Sequence, residues 1–359
     1  MDHLKRSRKL MEALNGSVDG VLILNFEGSD WANSVYFTGF TGSHSEILIT
    51  HDDVCIITDG RYYDQVVQES EALFIKPDPH DKGFDTLKRV LDDRNVKKCG
   101  VVVGRVTARH YNMLKDMGLE LESVDDAIGK LRMRKDEEEL ALIKEAVRIA
   151  ESVFEEVLDF MRPGMTEREV AAYMEYRLKL RGDGPSFPVI VASGPNSALP
   201  HAKPTDKVME KGDIVVLDFG ARYRNYCSDI TRTLSVGVPN PEAEEIAHII
   251  MEAQDAVLRD FKLSMTGAQV DALARDVIAS KGYGDAFKHS LGHGIGLEVH
   301  EAPRISWANE NPIPSGSVIT VEPGVYISGR FGVRIEEDVS VSQEGLTRLT
   351  NLERTIFVV

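Results

Sequence analysis

Apolar residues in the first third of the chain come in short blocks separated by polar turns. Leu4, Leu10, Met11 and Leu14 have the spacing of a short amphipathic helix. Residues 21–25, 46–50, 54–58 and 99–103 are β-prone runs that predict strands, and after Asp59-Gly60 a helix is expected from about Arg61. Alternating strand and helix patterns over residues 1–125 predict a small α/β domain.

Residues 126–135 carry a basic run (Lys130, Arg132, Arg134, Lys135) and read as a linker. Acids at 136–139 then open a long helix to about residue 160, where negative side chains meet the positive end of the helix dipole. Arg162-Pro163-Gly164 stops it, and Thr166 with Glu169 has the form of a capping box for the next helix. Two more helices are expected at about 241–260 and 267–281. No sequence repeat is visible, yet in both halves of 136–359 helices lead into a strand ribbon rich in acids. The whole reads as α+β: a small α/β domain over 1–125, a linker over 126–135 and a second domain over 136–359.

The ribbons carry the chemistry. Residues 214–220 and 229–233 flank a polar turn, and a turn at Tyr223-Arg224 sets Asp218 directly across from Asp229. Residues 318–322 and 332–336 form a second ribbon with a turn at 328–330, which sets Glu322 across from Glu336; Pro323 cannot donate a ladder bond and threatens that register with a bulge. Like charges facing each other on a sheet repel. One acid on a strand is ordinarily a solvated side chain, but two matched pairs within Val/Ile runs point to a shared cation.

Composition narrows the classes. The 359 residues are 42% hydrophobic and 28% charged, enough for two packed domains, with no apolar run long enough to suggest a membrane span. The basic N-terminus is followed by no apolar core and does not read as a secretory signal. A net charge of −16 argues against nucleic acid and anionic membranes as partners. Three scattered cysteines (Cys55, Cys99, Cys227) give neither a disulfide framework nor a thiolate zinc site and fit a reducing cytoplasm. Cys227 reads as a small buried residue beside the acids rather than as a nucleophile.

Three of the ten histidines fall in 288–301. His289 and His293 are four apart, but three glycines within five residues argue for extended backbone, and the glycines do not match a dinucleotide fingerprint. His293, set among Gly and Ile, is the best imidazole ligand candidate. His201 lies in a Pro-flanked loop. Two roles fit Arg334, binding a substrate carboxylate or neutralising the acids; two also fit Tyr326, a pocket wall or a packed core residue.

These motifs resemble the Xaa-Pro peptidases, aminopeptidase P and prolidase, of the pita-bread metallopeptidases. The carrying stretches are 217–221, 226–233, 292–301, 321–326 and 332–338, with a weaker match at 36–43 and 58–62. The resemblance implies a creatinase-type N-terminal domain and a pita-bread catalytic domain, a curved, largely antiparallel sheet covered by helices. It implies two divalent ions, with Asp218 on one, His293 and Glu322 on the other, and Asp229 and Glu336 bridging. Such an oxygen-rich set suits Mn²⁺ or Co²⁺, with Zn²⁺ or Fe²⁺ as alternatives. It further implies Glu322 as proton shuttle, His201, His289 and His300 along the cleft, a proline-containing di- or oligopeptide as substrate, and a homodimer. Xaa-Pro dipeptidase is favoured over aminopeptidase P. A non-catalytic peptide-binding module, a creatinase-type amidinohydrolase and a methionine aminopeptidase are the rivals.

Overall fold

The computed structural model describes residues 1–359 and divides into two compact units, Met1–Leu131 and Arg132–Val359. The division falls within a helix, Asp125–Met133, so the stretch read as a linker is largely helical. None of the helices is long and apolar enough to cross a membrane.

Unit 1 is built on six strands: β1 (Gly20–Phe26), β2 (His44–Thr50), β3 (Val54–Ile57), β4 (Leu73–Ile75), β5 (Lys98–Val101) and β6 (Glu120–Ser123), in the order β4-β3-β2-β1-β5-β6. β1 pairs antiparallel with β2 and parallel with β5. On one face Leu22, Leu24, Leu48 and Ile57 pack with Leu87, Val90 and Leu91 of the helix Asp85–Asp93. Helices His3–Leu14 and Trp31–Thr38 pack together and against β1 and β2. With a helix layer available to each face, β1 is buried along nearly its whole length, which is why it reads as a continuous apolar run. The short, half-exposed β4 and β6 lacked such a run and were not foreseen.

Unit 2 repeats one plan. Helices Glu137–Phe160 and Glu167–Arg181 precede the first set of strands, and helices Pro241–Asp260 and Gly267–Ser280 precede the second. Thr166 and Thr266 each close a capping box, with Glu169 and Gln269, and each makes an isolated bridge to a later loop. The first set holds Ile190–Ser193, Ile214–Phe219 and Ile230–Ser235 in one sheet, joined in parallel by Phe357–Val358. The second runs Glu301–Ile305, Gly292–Gly294, Val318–Val321, Glu337–Ser342, Gly345–Arg348. Ile246, Ile250, Ala253 and Val257 of one helix pack with Ile319, Val321, Val333 and Ile335 from the strands, so apolar burial holds the acidic ribbons in place.

One ribbon is in register as expected and the other is not. Val318–Val321 pairs with Glu337–Ser342, and Gly324–Ile327 with Phe331–Arg334, in one continuous register across the interruption at Pro323. The first ribbon turns one residue later than expected. Tyr223 pairs with Tyr226, and Arg224 and Asn225 take φ of 47° and 71°, the left-handed pair that a two-residue hairpin turn requires. Asp218 therefore faces Thr231, and Asp229 falls to the diagonal position on the same face.

Candidate metal centre

Each acid stands at a strand end or just beyond one. Asp218 is the penultimate residue of Ile214–Phe219, and Asp229 immediately precedes Ile230–Ser235. Glu322 and Glu336 sit where the second ribbon leaves one pairing for another. There the Glu322 N–H bonds to Leu291 O at 2.8 Å and the Glu336 N–H to Thr231 O at 3.1 Å. Those cross-links bring the two ribbons and the glycine-rich strand together.

Ligand atoms of Asp229, His293 and Glu336 all lie within 4.8 Å of one another. His293 Nε2 is 3.6 Å from Asp229 Oδ2 and 3.5 Å from Glu322 Oε1. Its Nδ1 is 3.1 Å from Gly294 O, a carbonyl that can only accept, so the proton belongs on Nδ1 and the Nε2 lone pair faces the acids. Burial, with help from the neighbouring His300, lowers the His293 pKa to about 3, so the imidazole is neutral.

Asp218 is held by Arg334, whose Nη2 donates to Oδ2 at 2.7 Å; the buried Oδ1 has no hydrogen-bond partner. Thr231, standing where Asp229 was expected, accepts from Arg334 Nε at 2.9 Å and donates to Glu336 Oε2 at 2.6 Å. Burial first, then repulsion from Glu336, raises Asp229 and Glu322 well above ordinary carboxyl values. Glu336 is pushed up to about 8 by burial and by Asp218. Each shift favours the protonated form of these acids.

Four carboxyl groups converge here and a single guanidinium, Arg334, faces them, so the site is short of positive charge. The partnerless Asp218 oxygen, the lone pair of His293 and carboxylates forced toward protonation fit divalent metal ions. The structure brings all five expected ligands to one place, three of them in the tightest group.

The residues expected along the cleft divide into two sets. His300 and His201 are exposed. The His300 ring centroid is 4.3 Å from that of His293, and Pro200, which precedes His201, accepts a hydrogen bond from Arg334 at 3.0 Å. Tyr326 and Arg334, by contrast, are turned inward, 1% and 3% exposed. Arg334 Nη1 donates to the Tyr326 hydroxyl at 2.8 Å and to Pro200 O at 3.0 Å. The Tyr326 oxygen is 2.9 Å from His289 Nε2, while His289 Nδ1 is 2.8 Å from Ser290 O. Both ring nitrogens of His289 are thus engaged within the protein. Of the paired roles open to Arg334 and Tyr326, the geometry favours neutralising the acids and packing in the core. Cys227 is fully buried, and burial raises its thiol to about 12, against a nucleophilic role.

Several supporting residues escaped the sequence reading. Asp338 accepts the Asp229 N–H at 3.0 Å. Arg232, fully buried, donates to Glu336 O at 2.7 Å and to Glu337 at 2.8 Å. Glu301, next to His300, is buried against Arg132 and Lys135 and accepts the Glu298 N–H at 3.0 Å. Nothing in a local pattern distinguishes these charges from solvated ones.

Comparison with known proteins gives the family. Residues 141–343 match metallopeptidase family M24, and residues 3–134 match the creatinase/prolidase N-terminal domain. An X-Pro aminopeptidase from Thermotoga maritima is 45% identical, with a TM-score of 0.93 over 99% of this chain and 100% of that one. An Xaa-Pro dipeptidase from Bacillus anthracis is 38% identical with a TM-score of 0.93 over the same shares, 99% and 100%. An Xaa-Pro dipeptidase of Pyrococcus furiosus is 38% identical over 98% of this chain and 99% of its own length. The chain belongs to metallopeptidase family M24, with a creatinase/prolidase N-terminal domain ahead of the peptidase domain.

Proposed function

We propose that this metallopeptidase is an Xaa-Pro dipeptidase, hydrolysing the bond between an N-terminal residue and proline with two divalent ions, Mn²⁺ or Co²⁺ before Zn²⁺ or Fe²⁺. The observation that carries the reading is the convergence of Asp218, Asp229, Glu322 and Glu336 on the neutral imidazole of His293, with one Asp218 oxygen left without a partner. These five residues would hold the ions. Ions bound there supply Lewis-acid polarisation of a carbonyl and lower the pKa of a coordinated water to about 7.

The chain's own groups supply the rest. Glu322, 3.5 Å from His293, would take a proton from the water that adds to the scissile carbonyl and pass it to the leaving proline nitrogen as the C–N bond breaks. That nitrogen comes from a tertiary amide without an N–H, so its protonation matters for expulsion. His300, exposed beside His293, is placed to donate to the oxygen of the scissile carbonyl as charge develops there. His201 closes over the proline ring. Arg334 keeps Asp218 oriented, and the Tyr326–His289 pair fixes Arg334 from behind.

A second reading, aminopeptidase P acting on longer Xaa-Pro peptides, is favoured by the likeness to the Thermotoga maritima X-Pro aminopeptidase. The buried, free cysteines fit a reducing cytoplasm, which belongs to the same proposal, as does a homodimer; sedimentation tests the latter. The deciding experiment strips the protein with a chelator, restores Mn²⁺ or Co²⁺, and assays an Xaa-Pro dipeptide beside a longer Xaa-Pro peptide. Metal-dependent cleavage of the dipeptide alone supports the dipeptidase, and cleavage of the longer peptide moves the assignment to aminopeptidase P. Activity untouched by complete metal removal, or a fully active Asp229→Asn, overturns the metal-centre reading.

A further inference from the structure

Glu167 is the first residue of the helix Glu167–Arg181, yet it takes no part in that helix's capping box, which uses Thr166 and Glu169. It is also fully buried. Its carboxylate accepts six hydrogen bonds, all from one loop. Oε1 takes Ser193 N at 2.7 Å, Ser193 Oγ at 2.8 Å and Asn196 Nδ2 at 3.1 Å. Oε2 takes Asn196 Nδ2 at 3.2 Å, Thr205 N at 3.0 Å and Thr205 Oγ1 at 2.6 Å. Burial alone would push this carboxyl up; the hydrogen bonds from Thr205 and Ser193 outweigh it and hold the group below its ordinary value.

Ser193 and Thr205 are the two feet of the loop that carries His201. On its inner side the loop has a different anchor. Ser197 Oγ accepts the Gly332 N–H at 2.9 Å, and Pro200 O accepts from Arg334 Nη1 at 3.0 Å, the guanidinium that also holds Asp218. Between these attachments Leu199, His201 and Lys203 are exposed. An exposed tip has little packing to hold it, so its order depends on how firmly its feet are fixed. An ionised acceptor gathering both feet is well suited to that, because hydrogen bonds to a charged oxygen are the strong ones.

We propose that Glu167 is a positioning residue for His201: by clamping Ser193, Asn196 and Thr205 on one carboxylate, it presets the loop that brings the imidazole over the metal centre. The catalytic consequence rests on the Xaa-Pro peptidase reading; the structural one does not. Glu167→Gln puts an amide NH₂ where one oxygen accepted, so it opposes part of the donor set without changing size. A loop that must then order when substrate arrives shows its loss in KM before kcat.

The test is a double-mutant cycle on the metal-loaded protein, comparing wild type, Glu167→Gln, His201→Ala and the double variant on an Xaa-Pro substrate. Glu167→Gln is expected to raise KM by about tenfold with kcat within about threefold, and to add less than about twofold in the His201→Ala background. Equal losses in both backgrounds, or a fall in kcat alone, overturn the proposal. If Glu167→Gln does not fold, Asn196→Ala removes two of the six bonds and should shift KM the same way by a smaller factor; an unshifted KM counts against the idea. Should metal-loaded wild type cleave no Xaa-Pro peptide, the activity reading falls, and the clamp is judged by hydrogen exchange at Leu199 and Ala202. Their amides bond to Asn196 O at 3.0 Å and Leu199 O at 3.1 Å. They should exchange about tenfold faster in either variant, while helix Pro241–Asp260 is unchanged; unaltered exchange at both amides defeats the clamp.

Discussion

Arg334 Nη2 lies 2.7 Å from Asp218 Oδ2 in a pair whose side chains are 3% and 12% exposed. The guanidinium also reaches Thr231, Tyr326 and Pro200, so a single cation ties the first ribbon, the second ribbon and the His201 loop together. Removing one member of a buried pair strands the other without compensation, typically at about 3–5 kcal/mol. Arg334→Met should therefore lower the thermal midpoint of the metal-stripped protein sharply, with a smaller loss once divalent ion is restored. An unchanged midpoint in the stripped protein would show the brace to be dispensable.

Gly220 immediately follows the strand Ile214–Phe219, and a Cβ placed there would meet the carbonyl oxygen of Ser228, next to Asp229 in the chain, at 1.9 Å and Ser186 Oγ at 2.4 Å. Backbone cannot yield as a flexible side chain can. Gly220→Ala should push residues 227–229 away and displace Asp229, cutting kcat/KM by more than about tenfold, since small misplacements near the chemistry are costly. Near-normal activity would mean the ribbon is softer than its packing implies.

Glu46 sits on β2 with Leu22, Leu24 and Leu48 on the same sheet face, 8% exposed, and burial pushes its carboxyl to about 8 from an ordinary 4.5. The folded state thus holds a proton that the unfolded chain releases near pH 4.5. Stability from this group is complete below the unfolded value and declines as pH rises from there through about 8, at about 1.4 kcal/mol per pH unit while the two states differ by a proton. Glu46→Gln should flatten that decline and stabilise the protein above pH 8 in denaturant titrations. A variant with the same pH slope as wild type would place the titrating group elsewhere.

Arg132 faces Glu298 at 2.9 Å and Glu301, and Lys135 is 3.3 Å from Glu301. The Arg132 and Lys135 charges overcome the burial that would otherwise raise Glu301, holding its carboxyl at about 2. Arg132→Met leaves Glu301 buried with half its compensation, and a loss of about 3 kcal/mol in unfolding free energy is expected. Because Glu301 adjoins His300, kcat should fall as well. A variant as stable as wild type, with unaltered kcat, would show that Lys135 suffices.

Much of the chain was written locally. The buried strands of unit 1 and the long capped helices of unit 2 follow from apolar periodicity and end signals, which are short-range. The five residues gathered at the centre were legible too, since paired acids and an imidazole amid Val, Ile and Gly have little reason to be there otherwise. The first ribbon's register was not, because a turn at Tyr223-Arg224 and one at Arg224-Asn225 differ by a single residue, and the pairing of Tyr223 with Tyr226 selects the second. Tertiary structure alone also decided which charges are buried. Glu167, Arg232, Glu301 and Asp338 read as ordinary surface charges, and each acquires its role from partners distant in sequence. A charge's environment is set by what packs over it, and that is a property of the fold, not of the neighbouring residues.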